Sequence, residues 1–221
     1  MNPLPALSLL ETRVVGVLVE KQHTVADSYP LTLNALVSGC NQKTSRDPVI
    51  EATEAEVQAA VDHLKSLSLV VESSGGRVMR YTQNVGRVLN VPPQSVALLA
   101  VLFLRGPQTA GELRINSDRL HKFGDILSVE AFLNELAERR EGALVRELAK
   151  APGARETRWT HLLSGEPAAA MLAAATPAAS GEAVTVSELA AIKANVDALQ
   201  SEVSQLRETV ARLCREIGVN P

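Results

Sequence analysis

Apolar residues recur along this chain at helical spacing, broken twice by short stretches of alternating pattern, and the switches of period mark its elements. Leu10, Val14, Val17 and Leu18 fall on one face of a helix expected from about Ser8 to Gln22. Ser8 and Glu11 have the spacing of a capping box, which satisfies free amides at a helix start. After the loop HTVADSYP, Pro30 stands near the first turn of a short helix around Leu31 to Cys40. Thr53 and Glu56 form a second capping box, opening a helix with Val57, Ala60, Val61, Leu64 and Leu67 on one side. The segment LVVESSGGRVMRYT then reads as two extended arms about a Ser-Gly-Gly turn, a β-hairpin.

The same order follows again. PPQSVALLAVLFLRG is a helix closed by Gly106-Pro107, and Thr109 and Glu112 cap a short helix through GELRI. A third helix, from about Ser128 to Arg140, places Val129, Phe132, Leu133 and Leu136 together, and LVRELAKAPGARETRWTHLL forms a second hairpin around Pro152-Gly153. Three helices followed by a two-stranded hairpin is the plan of a winged-helix domain. The copies align at a spacing of about 72 to 84 residues, which argues for internal duplication. The predicted fold is mainly α with short β-hairpins (α+β): winged-helix domains at residues 1–87 and 88–163 in series.

Residues 164–184, SGEPAAAMLAAATPAASGEAV, carry small residues, Pro and Gly without periodicity, the composition of a flexible linker. Thr185 and Glu188 then cap a helix over 185–221 in which Leu189, Ile192, Val196, Leu199, Val203, Leu206, Val210, Leu213 and Ile217 repeat at alternating spacings of three and four. Mostly β-branched residues at a over Leu at d favour a parallel two-stranded coiled coil, so a homodimer is expected. The same narrow seam could instead fold back on the body or pair antiparallel.

Composition narrows the function. At 46% hydrophobic but only 3% aromatic, the cores must be aliphatic. A net charge of −3 gives no global attraction to nucleic acid or an anionic membrane. The N-terminus has no basic region followed by a sustained apolar run, and no stretch is long enough to span a bilayer. The expectation is a soluble cytoplasmic protein without membrane partners. Cys40 and Cys214 lie far apart, and His23, His63, His121 and His161 show no metal-ligand spacing, so no cofactor or metal is expected. No nucleophile elbow, phosphate loop or dinucleotide fingerprint appears, and the chain is read as non-enzymatic.

Several strings resemble the YceH family of bacterial proteins: Glu20-Lys21, then Tyr29 to Leu36, Cys40-Asn41-Gln42-Lys43 and Arg46-Asp47-Pro48-Val49 in the first copy. Leu104 to Thr109, Gly111 to Arg114, Arg155-Glu156 and His161-Leu162-Leu163 carry the likeness in the second. The resemblance spans roughly residues 7 to 165 and implies tandem winged helices, with no established activity and no catalytic residue to transfer.

A winged helix invites a DNA-binding reading, with the third helix in the major groove and the wing on phosphates. The charges oppose it. The first such helix carries Glu54, Glu56 and Asp62 against Lys65; the second carries Glu130, Glu135, Glu138 and Glu141 against Arg139 and Arg140. Phosphate contacts dominate DNA affinity, so acidic helices are penalised there. The wings are better placed, with Arg77 and Arg80 in the first and Lys150, Arg155 and Arg158 in the second. Asn41, Gln42, Lys43 and Arg46 form a candidate polar binding edge, or alternatively fix the loop before Pro48. The sequence therefore favours a protein-interaction adaptor, with a DNA-binding regulator touching phosphates through its wings as the alternative.

Overall fold

Ser8 starts the first helix: its hydroxyl accepts from the Glu11 amide at 3.2 Å while the Glu11 carboxylate accepts from the Ser8 amide at 2.6 Å. The computed structural model describes residues 5–74, 78–150 and 154–167. Arg77, most of the expected linker and the whole heptad segment lie outside the described residues. Those described contain seven α-helices and two antiparallel hairpins, a mixed α/β architecture. In order they are α1 (Leu9–Thr24), α2 (Leu33–Cys40), α3 (Glu54–Ser66), β1 (Val70–Ser74), β2 (Met79–Gln83), α4 (Val85–Val88), α5 (Pro93–Arg105), α6 (Ala110–Asn116), α7 (Ile126–Ala137), β3 (Val145–Glu147) and β4 (Trp159–His161).

The repeated order is reproduced in three dimensions, with one detail the sequence patterns did not show. In each module a residue ahead of the second helix pairs with the second strand of the hairpin. Leu31 exchanges backbone hydrogen bonds with Tyr81 at 3.1 and 2.8 Å, and Gln108 does so with Trp159 at 3.0 and 2.7 Å. The two bridges occupy matching places in the two copies, so each hairpin is tied back to the helices beside it. Further differences are local. α7 opens at Asp125, whose side chain accepts from the Ser128 amide at 2.7 Å, rather than at Ser128 itself. Residues 87 and 88, where the expected domains meet, fall inside α4, a one-turn helix absent from the sequence reading.

The core is continuous across both modules. α1 is buried without interruption from Glu11 to Val19, and α5 from Ser95 to Leu104. Helices apolar on all sides must be covered on all sides, and these two cover each other. Gly16 sits at their closest approach: a Cβ there would lie 2.9 Å from Leu104 Cγ and 3.2 Å from Phe103 Cβ. α2 and α3 pack on the far side of α1, while α6, α7 and β4 surround α5. Gly106, at φ +69°, ends α5 in a conformation that other residues rarely adopt.

On β4, His161 meets the Phe103 ring edge to face at 4.9 Å, and its Nδ1 is buried without a hydrogen-bond partner. Burial pushes this imidazole down from its ordinary 6.5 to about 4.

Two outcomes are expected. Gly16→Val should force α1 and α5 apart, lowering stability by about 1–3 kcal/mol in urea unfolding, the usual cost of overpacking. His161 stays neutral in the folded chain while the unfolded chain protonates near 6.5. Its contribution is therefore full above that pH and is lost as pH falls towards the folded value, by about 1.4 kcal/mol per pH unit. Urea midpoints across that window should fall less steeply in His161→Phe than in the parent chain.

Candidate functional site

Three surfaces can be tested for function: the loop between α2 and α3, the hairpins, and the outer faces of the third helices.

The loop is held from inside. Arg13, on the buried face of α1, donates to the Cys40 carbonyl at 3.2 Å and the Pro48 carbonyl at 2.7 Å. Burial, with Arg46 close by, lowers its pKa from the ordinary value. Arg46 has no exposed side-chain surface and forks onto Glu20, Nη1 to Oε1 at 3.1 Å and Nη2 to Oε2 at 2.6 Å. Its Nε donates to the Gly39 carbonyl at 3.1 Å. Burial raises the Glu20 carboxyl, but the Arg46 fork outweighs this and holds it below the ordinary carboxylate range. Asn41 closes the loop, its Nδ2 donating to the Ala52 carbonyl and its Oδ1 accepting from the Ala52 amide, both at 2.8 Å. Of the proposed polar edge, Asn41 and Arg46 thus spend their polar atoms within the chain. Gln42 accepts from Lys21 Nζ at 3.2 Å, and Lys43 stands exposed. Both modules grip this segment, because the Asp47 amide donates to the Leu104 carbonyl at 2.8 Å and Arg105 donates to Ser45 Oγ at 2.7 Å. Cys40 is buried there, its thiol pushed up to about 12 by burial, which disfavours the thiolate.

The hairpin cations divide. Arg80 donates to the Pro30 carbonyl at 2.7 Å, tying its hairpin to the segment before α2. Arg158 is partly engaged, with Glu112 at 3.5 Å and the Pro107 carbonyl at 3.4 Å. Lys150 and Arg155 are exposed and line one hollow together with Glu130, Glu147 and Glu156.

The third helices are the most distinctive surface. On α3 the outward residues include Glu54, Glu56 and Asp62. Its one lysine, Lys65, is paired with Glu72 and with Asp62, and His63 is hydrogen-bonded to Glu11. α7 contains no cation and starts with Ile126, 45% exposed, and Leu127, 73% exposed. On α6, Ile115 is 70% exposed. Ile126 Cδ1 lies 4.0 Å from where a Gly111 Cβ would stand, and Ile115 is one turn beyond Gly111 on the same helix face. Ile126 and Ile115 therefore lie along one face of α6, with Glu130 beside Ile126 and Leu127 exposed next to it in the chain. The sequence reading assigned these positions no role; their signal was the apolar pair Ile126-Leu127 ahead of the helical stripe of α7.

Fold and surfaces together define a protein of duplicated three-helix-and-hairpin modules whose outer helices are acidic and apolar. The chain belongs to the family described as "Protein of unknown function, DUF480", whose profile matches residues 7–154. This agrees with the resemblance drawn from the sequence strings. A UPF0502 protein of Paraburkholderia xenovorans (strain LB400) is 60% identical over 97% of this chain and 90% of its own length. UPF0502 proteins of Methylibium petroleiphilum and Dechloromonas aromatica are 59% and 56% identical, covering 98% and 96% of this chain and 92% and 98% of theirs. Alignments this long extend beyond residue 167 and take in most of residues 185–221. Among the described residues no helix is long and apolar enough to cross a membrane.

Glu20→Ala should strand the Arg46 guanidinium in the interior and lower stability by about 3–5 kcal/mol, the cost of breaking one side of a buried pair. The double change Glu20→Leu with Arg46→Met should recover much of that loss in thermal unfolding.

Proposed function

We propose that this chain is a non-catalytic binding and regulatory module of two winged helices in series, dimeric through its C-terminal heptads, and that its target is a protein. The bridge from Leu31 to Tyr81 and its counterpart from Gln108 to Trp159 support the winged-helix reading, since they supply the short third strand such a domain places beside its hairpin. The unbroken heptad spacing from Leu189 to Ile217 supports the dimeric stalk.

The observation that carries the choice of target is the chemistry of the third helices. A helix seated in a DNA groove needs cations or polar donors facing phosphates and base edges. α3 offers carboxylates and a lysine already paired, and α7 offers isoleucine, leucine and glutamate. Exposed, clustered apolar side chains rimmed by charge are what a protein partner buries. The exposed Lys150 and Arg155 favour the alternative, a DNA-bound regulator, but three glutamates line the same hollow and offset them.

Replacing Leu127 with a photo-reactive residue should yield a cross-linked adduct of discrete mass in cells, and the same replacement at exposed Glu138 should not. Fluorescence anisotropy of the full chain with labelled duplex DNA should show no steeply salt-dependent binding. Micromolar or tighter binding that weakens with salt and is lost in Arg155→Glu would overturn the protein reading in favour of DNA.

A further inference from the structure

Behind the surfaces just described lies a cleft between the two modules that no part of the proposed function uses. Its volume is about 620 Å³, within the range of pockets that hold small ligands. Leu67, with Val88 at the end of α4 and Leu89 just after it, forms one wall, and Leu144, Leu162 and Leu163 of the second module form the other. Backbone hydrogen bonds fix both walls: the Leu162 amide to the Leu144 carbonyl at 2.8 Å and the Leu7 amide to the Leu163 carbonyl at 2.7 Å on the second, and the Leu67 amide to the His63 carbonyl at 3.2 Å and the Leu89 amide to the Val85 carbonyl at 2.8 Å on the first. Asn84 Nδ2 holds the Ser68 carbonyl at 2.9 Å on the opposite rim. The cleft is thus built before any ligand arrives.

Its charged groups are two arginines and one glutamate. Arg87 and Arg139 both line it. Arg139 is 14% exposed; it donates to the Asn90 carbonyl at 3.3 Å and stands 3.7 Å from Glu141, a carboxylate itself 58% exposed. Its Nε is buried with no partner at all. Arg87 makes no ion pair or side-chain hydrogen bond with another described residue. Two guanidinium groups and one largely solvated carboxylate line the cleft, an excess of one positive charge, with Arg87 itself open to solvent. A neutral hydrocarbon would leave that charge unpaired, and a small hydrophilic anion would leave the leucine walls wet.

We propose that this cleft binds a small amphiphilic carboxylate: an apolar chain or ring seated between the leucine walls, with its one carboxylate on Arg139 and Arg87. Guanidinium and carboxylate match as a fork, giving both energy and orientation. Because the walls come from both modules and from α4 between them, such a ligand touches the connection as well as the copies. The site is separate from the third-helix surface and stands or falls independently of it.

The test is calorimetry on the full chain with octanoate as the probe, and with octanol and acetate as partial mimics. Octanoate should bind saturably, one per chain, and at least about tenfold more tightly than either mimic, since each lacks half of the recognition. Arg139→Met should remove most of the preference for octanoate over octanol. Ala143→Trp, at an exposed position on the rim, should fill the cleft and abolish binding without touching the arginines. Lys150→Ala, on the distant second hairpin, should change nothing. Absent or unsaturable octanoate binding, octanol binding as tightly, or binding undiminished in Ala143→Trp would overturn the proposal.

Discussion

The close packing of α1 against α5 is the constraint on which the other contacts depend. α1 from Val14 to Val19 and α5 from Val96 to Leu104 are apolar all round, so neither stretch is stable facing water. Gly16 lets the backbone of α1 approach Leu104 and Phe103 with no intervening side chain. Once that contact is made, α2 and α3 have only the remaining sides of α1 to cover, and α6, α7 and β4 those of α5. The two copies are consequently halves of one core, although each repeats the same order of elements.

Around this axis the chain uses arginine as an internal strut. Arg13 reaches from α1 into the loop after α2, Arg46 reaches back out of that loop, and together they satisfy the Gly39, Cys40 and Pro48 carbonyls. Burying a guanidinium is costly unless it is paired, and Glu20 supplies that pairing for Arg46 alone. The loop is therefore rigid for a reason unrelated to recognition, and its docking on Leu104 and Arg105 joins the modules on one side. On the other side, beyond α4, the modules are joined through Arg139, which donates to the Asn90 carbonyl, and an apolar cleft with two arginines is left between the walls.

What remains for outside partners follows from these allocations. Most hairpin cations in the described residues are partly spent on neighbouring carbonyls and carboxylates, whereas the third helices turn carboxylates and branched apolar side chains outward. The proposal of a protein partner rests on this acidic surface, with Ile115, Ile126 and Leu127 exposed on it.

Much of this was readable from the chain alone. Local signals, the capping boxes at Ser8, Thr53 and Thr109 and the helical spacing of Val57 to Leu64, set the helices because they depend on residues three or four apart. The duplication was readable for the same reason. The start of α7 was missed because Asp125 caps through Ser128, a weaker pattern than Thr with Glu. The inward roles of Asn41 and Arg46, the bridges to Tyr81 and Trp159, the shared core and the cleft were decided only by the tertiary structure. Each joins residues far apart in sequence, and polar spacing does not reveal whether a guanidinium will meet water, a carbonyl or a distant carboxylate. Sequence determines which stretches become helix or hairpin; which faces stay outside depends on how α1 and α5 lie together.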